Sequence, residues 1–174
     1  DLARIEARSA QDFVFTQVLL EDLARETAED FQPPEGRTPV ELLLQAPGVQ
    51  LRVDAGKLRQ ALRNVISNAY KYSPGGGAVG LRVSATGEGW ARIEVRDEGI
   101  GMSADDLERV TERFFRADKS GKIPGTGLGM ALVKEIVQLL GGRMHLSSEL
   151  GQGTTVTLEF PVALRVAGVE RALP

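Results

Sequence analysis

Two asparagines, a lysine and a tyrosine share one side of a helix-like segment, LRQALRNVISNAYKYSP. Asn64, Asn68, Lys71 and Tyr72 recur at i, i+4, i+7 and i+8, which places them on one stripe at about 100° per residue. An amide oxygen is a hard, neutral ligand that suits Mg²⁺, which takes its further oxygens from water and phosphates. A lysine one turn on can contact a phosphate, and an aromatic ring can flank a base. The stripe therefore has the parts that bind a magnesium–nucleotide complex, although two asparagines can also form a polar patch under a loop.

The segment WARIEVRDEGIGM ends a strand-like pattern with a carboxylate in phase with its apolar side chains. Apolar residues occupy alternate positions from Ala91 to Val95, and Asp97 continues that phase. An inward carboxylate is costly unless it is hydrogen-bonded. One interpretation is that Asp97 only ends the strand or turns the loop. The other is that it accepts a hydrogen bond from the exocyclic amino group of adenine, with Gly99 and Gly101 allowing close backbone approach.

Three glycines at alternate positions, Gly125, Gly127 and Gly129, precede a helix-like run in GKIPGTGLGMALVKEIV. Free N–H groups and the helix dipole favour an anion at a helix start, and glycine lets the backbone come close to it. The spacing matches neither the G-x-G-x-x-G dinucleotide fingerprint nor the P-loop. Taken alone, the segment fits a phosphate-binding loop and a plain glycine-rich connection equally well.

The elements that must position these residues alternate between helical and strand periodicity. Helices are predicted at 1–10, 13–31, 55–72, 103–114 and from the glycine loop to Gly141–Gly142, and strands at 40–45, 49–53, 80–85, 90–95, 143–148 and 154–160. Neighbouring strand pairs with helices between them indicate an α+β domain, with helices covering one face of a mixed sheet. On the helix that carries the asparagines, an apolar stripe is predicted to face the core, and Arg59, Arg63, Ser67 and Tyr70 are predicted to face solvent.

Length and composition bound the class of protein. The chain has 174 residues, a net charge of −3 and no cysteine, which fits one globular domain and gives no sign of a broad nucleic-acid surface. No stretch approaches the roughly 20 apolar residues of a membrane span. The opening DLARIEARSA resembles the tail of a helix, so we expect a fragment of a longer protein.

Five segments together resemble a known family. NVISNAYKYSP, DEGIGM, ERFFR, GTGLGMALVKEIV and GQGTTVTLEFP are similar, in order and spacing, to the N, G1, F, G2 and G3 boxes of bacterial two-component sensor histidine kinases, over about residues 38–162. The resemblance implies the catalytic ATP-binding (HATPase) domain in its Bergerat fold, a two-layer α/β sandwich. Its mixed, mostly antiparallel sheet is covered on one face by helices, and a mobile lid closes over ATP. We expect a dimerization-helix tail at 1–12, the catalytic domain at 13–162 and a tail of unknown role at 163–174.

The resemblance also implies roles for the polar stripe. Asn68 resembles the Mg²⁺ ligand, and Asn64 lies beside it near the phosphates. Lys71 resembles the lysine that contacts phosphate, and Tyr72 the aromatic neighbour of the nucleotide. Asp97 resembles the aspartate that reads adenine, which selects ATP over GTP.

A lid and its flanks complete the implied site. The further nucleotide-binding residues are Gly99, Ile100, Gly101, Phe115, Arg116, Gly125, Thr126, Gly127, Leu128, Gly129 and Thr155. Arg116 resembles the lid arginine that approaches the terminal phosphate, and with Asn64 and Lys71 it forms the catalytic set. Thr155 resembles the threonine behind the adenine-binding aspartate. The glycine loop is then expected to hold the phosphates of ATP, and residues 116–125 before it are expected to form a lid hinged by glycines.

The implied activity is transfer of the γ-phosphoryl group of Mg-ATP to a histidine on a separate dimerization domain, with a response regulator downstream. The single histidine, His145, lies in a strand-like context without the partner acid of that family's acceptor motif, so we interpret it as an ordinary strand residue. We expect a monomeric fragment of a homodimeric parent, in the cytoplasm, and the sequence is compatible with a parent anchored in the inner membrane.

Two alternatives remain open at this point. A hydrolytic Bergerat-fold ATPase places a glutamate one helical turn before the Mg²⁺-binding asparagine, and that position here is Asn64, which is no general base. A serine kinase of the anti-sigma type shares the boxes and keeps its acceptor on another protein.

Overall fold

The computed structural model describes residues 12–113, 115–116 and 129–166. The elements follow in the order β1 Thr16–Leu19, α1 Leu20–Asp30, β2 Glu41–Leu44, β3 Val49–Val53, α2 Ala55–Lys71, β4 Gly80–Ala85, β5 Trp90–Arg96, α3 Ala104–Arg109, α4 Gly129–Leu139, β6 Arg143–Glu149, β7 Gly153–Pro161 and β8 Leu164–Arg165. The predicted helix at 1–10 and most of the predicted lid lie outside the described residues. No helix in the described ranges is both long and apolar enough to span a membrane.

The main sheet has five strands in the order β2-β4-β5-β7-β6. The β4–β5 and β6–β7 pairs are antiparallel hairpins, as the sequence predicts, and β5 pairs antiparallel with β7 in the middle. Among the described strands of this sheet, β2 alone runs parallel to its neighbour, β4. The sheet is therefore mixed and mostly antiparallel, and the predicted α+β sandwich is confirmed.

A second sheet of three strands, in the order β1-β3-β8, lies beside the main one and was not predicted. The predicted helix at 13–31 is wrong at its start, because Thr16–Leu19 pairs as a strand with β3 and the helix begins at Leu20. The pattern around Phe15 and Val18 is too short for its period to separate helix from strand. Residues 164–165 pair with β3, so part of the predicted tail belongs to this small sheet.

The predicted strands at 40–45 and 49–53 exist, but they do not pair with each other. β2 joins the main sheet beside β4, whereas β3 joins the small sheet between β1 and β8. The Ala46-Pro47-Gly48 turn therefore connects two sheets rather than closing a hairpin. Partner choice of this kind depends on residues more than 30 positions away, which short-range patterns do not contain.

The core lies between the helices and one face of the main sheet. The helix α2 buries Leu58, Leu62, Val65 and Ile66, as the predicted apolar stripe requires. The buried side chains that face them come from the other helices and from alternate strand positions, and include Leu20, Leu23, Leu81, Val83, Ile93, Val133, Ile136, Leu158 and Phe160. Strands β4 and β5 bury alternate residues, and β6 alternates exposed with partly buried ones, so the described helices cover one face of the sheet.

Tyr70 is a correction to the predicted solvent face of α2. It is 3% exposed, its ring stacks on Phe31 with centroids 5.6 Å apart, and its hydroxyl donates to the carbonyl oxygen of Thr38 at 2.7 Å. The segment 31–40 therefore covers this side of α2. Burial raises the pKa of the Tyr70 hydroxyl, and the nearby Arg37 charge opposes that rise.

Capping residues fix where the short-range elements begin. Asp54 accepts a hydrogen bond from the backbone N–H of Lys57 at 3.0 Å and so caps α2. Ser103 accepts from the N–H of Asp106 at 3.2 Å, which confirms the predicted start of α3. That helix ends at Arg109 instead of reaching residue 114 and buries none of its residues, so little packing extends it.

Candidate functional site

A cavity of about 360 Å³ opens between α2, the start of α4 and the main sheet. It has a polar part, contributed mostly by one stripe of α2, and an apolar part, contributed by helices, strands and loops together. The lining residues are Asn64, Val65, Ser67, Asn68, Ala69, Lys71, Tyr72, Val95, Asp97, Gly101, Met102, Val110, Phe115, Gly129, Met130, Leu146, Thr154 and Val156.

The polar stripe predicted on α2 lines this cavity in full. Asn64, Asn68, Lys71 and Tyr72 all contribute to its wall. Within the part of the chain that the structure describes, the side chains of Asn64, Asn68 and Lys71 make no hydrogen bond or ion pair to protein. Two amides and an ammonium are therefore available to a ligand, which argues against the interpretation of the asparagines as an internally bonded polar patch.

Asp97 follows the last strand residue of β5 and is 5% exposed. Its Oδ1 accepts hydrogen bonds from the backbone N–H groups of Gly99 at 2.9 Å and Thr154 at 3.3 Å. No donor among the described residues bonds to Oδ2. Burial raises the pKa of this carboxyl above its ordinary value of 3.8, while the two N–H groups and the Arg37 charge oppose that rise. The carboxylate is thus held in place by one oxygen, and the other is left as an acceptor.

Glycines allow neighbouring backbone segments to pack closely around this carboxylate. A side chain at Gly99 would meet the carbonyl of Tyr72, and one at Gly153, where φ is +114°, would meet the carbonyl of Asp97. Gly101, with φ of +65°, lies in the same way against the carbonyl of Glu149. The loop after β5 is therefore packed between the end of α2 and the β6–β7 turn.

The start of α4 lies against the metal-ligand candidate. A Cβ at Gly129 would come within 3.6 Å of Nδ2 and 3.8 Å of Oδ1 of Asn68, which is ordinary contact distance. The positive end of the α4 dipole therefore faces the same part of the cavity as Asn68 and Lys71. The predicted loop residues Gly125, Thr126, Gly127 and Leu128 lie outside the described residues.

Apolar side chains form the remaining walls, and sequence reasoning missed them. Met102, Val110, Met130, Leu146 and Val156 all line the cavity. The sequence marks them only weakly as site residues, because each belongs to an ordinary apolar pattern of its own element. Only Met102 and Met130 stand directly beside predicted glycines. Such walls suit the faces of a planar aromatic base.

Among the described residues, four predicted site residues do not line the main cavity, namely Gly99, Ile100, Arg116 and Thr155. Gly99 and Ile100 line a neighbouring depression with the Ser73–Gly77 loop. Phe115 lines the main cavity, whereas Arg116 does not.

Thr154, not Thr155, adjoins the aspartate. The carbonyl oxygen of Thr154 accepts from the backbone N–H of Asp97 at 2.9 Å, its own N–H donates to Oδ1 of Asp97 at 3.3 Å, and the residue lines the cavity. Its hydroxyl shares a 2.8 Å hydrogen bond with that of Ser148. Thr155 is paired with Arg96 and Ser147 in the sheet. Because side chains alternate along β7, its own projects to the face opposite that of Thr154. The prediction was displaced by one residue, a shift that reverses the face.

The donor set fits Mg²⁺ bound through a substrate. The described residues contain no group of three or more histidine, cysteine, aspartate or glutamate side chains that could hold a metal ion alone. Amide oxygens at Asn64 and Asn68 can provide one or two ligands, and Mg²⁺ commonly takes the others from phosphates and water. The cavity thus combines an adenine-type acceptor, apolar walls and a metal–phosphate end.

Comparison with protein families gives one match over most of this region. Residues 53–164 match the family of "Histidine kinase-, DNA gyrase B-, and HSP90-like ATPase". This range includes α2, the main cavity and both hairpins of the main sheet.

Curated relatives and solved structures agree with that match. The sensor histidine kinase WalK of Bacillus subtilis is 44% identical over 127 residues, and the phosphate regulon sensor protein PhoR of Pseudomonas aeruginosa is 42% identical over 131. These alignments cover 70% and 74% of this chain but only 21% and 29% of the relatives. The chain therefore spans less than a third of their length.

Two structures share the fold and part of the sequence. Full-length ShkA in complex with AMPPNP superposes with a TM-score of 0.79 at 32% identity, covering 92% of this chain and 34% of that one. The mycobacterial sensor histidine kinase MprB superposes with a TM-score of 0.71 at 30% identity, covering 86% and 98%.

Proposed function

Because this chain belongs to the family of histidine kinase-, DNA gyrase B- and HSP90-like ATPases, as an ATP-binding catalytic domain of the histidine kinase type, we propose that it positions Mg-ATP for phosphoryl transfer to a histidine on a separate domain of its parent protein. One observation carries the proposal. The buried Asp97 lines a single cavity with apolar walls together with Asn64, Asn68 and Lys71, whose side chains bond to no other residue in the described part of the chain.

The roles divide between the two ends of the cavity. Asp97 accepts the hydrogen bond from the adenine amino group, and the apolar walls contact the base. Asn68 would hold Mg²⁺, which would neutralise charge at the phosphates when bound. Lys71 and the start of α4 add positive charge at the same end. Phosphoryl transfer needs mainly positioning and charge stabilisation, which this set of residues can provide without a protein nucleophile.

Arg116 and the glycines up to Gly127 complete the site as a lid over the phosphates. In this proposal Arg116 acts at the terminal phosphate once the lid closes, which is consistent with its position outside the cavity wall. Lids are drawn from weakly packed segments, and α3, which precedes Arg116 in the sequence, buries none of its residues.

Hydrolysis is the competing function within this family. A water must lose a proton as it attacks the terminal phosphate, and the neutral amide of Asn64 cannot accept one. Slow hydrolysis separates the phosphotransfer function from an ATPase cycle. The acceptor is the histidine of the parent's dimerization domain, which then passes the phosphoryl group to a response regulator. We place the domain on the cytoplasmic side, where ATP is available.

The test combines two measurements on one sample of this chain. ATP is titrated with and without Mg²⁺, and phosphate release is then followed for an hour. We expect Mg²⁺-dependent binding with almost no release, and phosphorylation of a separately supplied dimerization domain. Steady phosphate release would show that water is activated despite Asn64, and would favour the hydrolytic function. Absence of binding would overturn the proposal.

A further inference from the structure

The segment between α1 and β2 places one arginine behind the cavity. Arg37 is presented by a turn in which its N–H donates to the carbonyl oxygen of Pro34 at 3.0 Å, with Gly36 at a φ of +77°. Its guanidinium does not line the cavity. Instead it packs over the ring of Tyr70, 5.2 Å from the centroid, on the buried side of α2.

The guanidinium of Arg37 binds the end of α2 and the loop that follows it. Nη1 donates to the carbonyl oxygen of Ser73 at 2.7 Å and more weakly to that of Tyr70 at 3.4 Å. Nη2 donates to the hydroxyl of Ser73 and to the carbonyl oxygen of Gly77, both at 3.0 Å. A cation at a helix C-terminus satisfies carbonyl groups that have no partner within the helix, and it interacts favourably with the dipole.

Ser73 extends this network into the helix itself. It is 1% exposed, and its hydroxyl donates to the carbonyl oxygen of Ala69 at 2.6 Å. Arg37 and Ser73 together therefore determine the path of the backbone after Lys71. Four acceptors in a partly buried position favour the planar fork of arginine over a lysine ammonium.

The same end of α2 supports both parts of the nucleotide site. Lys71 and Tyr72 line the cavity from its last turn. The carbonyl oxygen of Tyr72 accepts a hydrogen bond from the N–H of Ile100 at 2.9 Å, which joins the helix end to the loop after Asp97. A displacement of this turn would move Lys71 and Tyr72, whereas Asp97 is also held by β7 through Thr154.

We propose that Arg37 is a positioning residue for the phosphate end of the nucleotide site, acting through the last turn of α2. It touches neither nucleotide nor metal, and it sets the orientation of Lys71 and Tyr72 relative to the loop after Asp97. The inference rests on the proposed function, because that function assigns Lys71 to the phosphates of ATP.

Comparing the affinities for two ligands, Mg-ATP and adenosine, distinguishes a positioning role of Arg37 from a general loss of stability. Arg37→Ala is expected to weaken Mg-ATP binding about tenfold, by calorimetric titration, and adenosine binding less than threefold, because of the two displaced residues only Tyr72 can contact a base, whereas Asp97 and the apolar walls keep their positions. Arg92→Ala is the matched control. It removes two hydrogen bonds to Glu159 on the opposite face of the main sheet, so the affinities for both ligands should stay unchanged. Equal losses for Mg-ATP and adenosine in Arg37→Ala, or no loss for either, would overturn the inference.

A second variant and a second measurement distinguish the role of Arg37 from misfolding of the variant and from failure of the proposed function. Arg37→Lys keeps the charge but has fewer geometrically fixed donors, and we expect about a threefold loss confined to Mg-ATP. Amide hydrogen exchange at Ile100 reports on the bond to Tyr72 without any ligand, and it should be faster in Arg37→Ala than in Arg92→Ala. If the unaltered chain binds no Mg-ATP, the proposed function fails. Unchanged exchange at Ile100 rejects the role of Arg37 independently.

Discussion

At the scale of single residues, Asp97 is a binding group whose burial opposes the stability of the folded domain. Its carboxyl is 5% exposed, and burial raises its pKa above 3.8. In the unfolded chain the carboxyl ionises near its ordinary pKa, and in the folded domain it ionises at a higher pH. The stability that this residue contributes is therefore present below pH 3.8 and is lost as the pH rises through the folded pKa.

We expect Asp97→Asn to separate binding from folding. The amide oxygen can still accept from Gly99 and Thr154, but the amide nitrogen then places a donor where the adenine amino group needs an acceptor. Loss of such a bond should weaken ATP binding at least about tenfold. The free energy of unfolding at pH 7, from urea titration, should be unchanged or higher than in the unaltered chain.

The pH dependence provides the control for this prediction. The variant cannot titrate at position 97, so its stability should lack the loss above pH 3.8 that Asp97 causes. An unchanged ATP dissociation constant would remove Asp97 from the adenine contact. A variant much less stable than the unaltered chain at pH 7 would contradict the cost assigned to its burial.

At the scale of elements, the start of β7 is restricted by the backbone that it approaches. Gly153 has a φ of +114°, and a Cβ there would meet the carbonyl of Asp97 and come within 3.0 Å of Cα of Glu98. Neither neighbour is a flexible side chain, so a substitution must displace the loop of the nucleotide site.

Gly153→Ala is expected to lower the free energy of unfolding by more than about 2 kcal/mol, measured by urea titration, through positive φ and steric overlap together. Gly151→Ala isolates the first contribution. Gly151 also has a positive φ, +77°, but open space around its Cβ position, so its cost should be about 1 kcal/mol. Equal costs for the two variants would show that the close approach at Gly153 is absent in solution.

The outer face of the main sheet carries a second element-scale feature, a carboxylate clamped by two arginines. Glu159 on β7 accepts from Arg92 on β5 at 3.1 Å and from Arg143 on β6 at 3.0 Å, and Arg143 stacks over the ring of Trp90 at 4.0 Å. Desolvation acts to raise the pKa of Glu159, but the hydrogen bonds and charges of Arg143 and Arg92 outweigh it and hold the pKa below 4.5. The side chain of Glu159 is 12% exposed, whereas those of Arg92 and Arg143 are 39% and 56% exposed, so solvent screens part of the attraction.

Glu159→Gln should therefore lower the free energy of unfolding at pH 7 by about 1 kcal/mol, measured by thermal or urea unfolding. Since the folded pKa is lowered, this stabilisation is present above pH 4.5 and is lost as the pH falls through the folded pKa. The difference between the two proteins should shrink in acid. Glu94→Gln is the control on the same face, because its ion pair with Arg82 is longer, at 3.8 Å, and should contribute less than about 0.5 kcal/mol. A constant difference from pH 7 to pH 3 would contradict the assignment.

At the scale of the whole molecule, nucleotide binding should be linked to global stability. The cavity is built from α2, α4 and three strands of the main sheet, so a ligand that needs all of them binds only the folded domain. A ligand at 100 times its dissociation constant then adds about 2.7 kcal/mol to the free energy of unfolding.

Thermal unfolding with ATP is expected to show this increment in the presence of Mg²⁺ and a smaller one in its absence. GTP should add little to the free energy of unfolding, because its base presents an oxygen to Asp97 where adenine presents an amino group. Asn68→Ala is the matched variant for the metal, and its response to ATP should be the same with and without Mg²⁺. Persistent Mg²⁺ dependence in that variant would remove Asn68 from the metal site.

The sequence by itself determined the parts of the domain that depend on neighbours along the chain. The extent of α2, its polar stripe, the cap at Ser103 and the β4–β5 and β6–β7 hairpins follow from side-chain periods and turn residues within a few positions. The inward phase of Asp97 is of the same kind. These features define most of the polar side of the cavity.

Only the tertiary structure decided which distant segments meet. It separated β2 from β3 into two sheets, buried Tyr70 under residues 31–40, placed Thr154 rather than Thr155 against Asp97 and assembled the apolar walls from five elements or loops. Strand pairing and burial are set by contacts between residues far apart in the sequence, which no local period records. A shift of one residue in a strand exchanges its two faces, so local patterns predicted the chemistry of the site while long-range packing chose the residues that reach it.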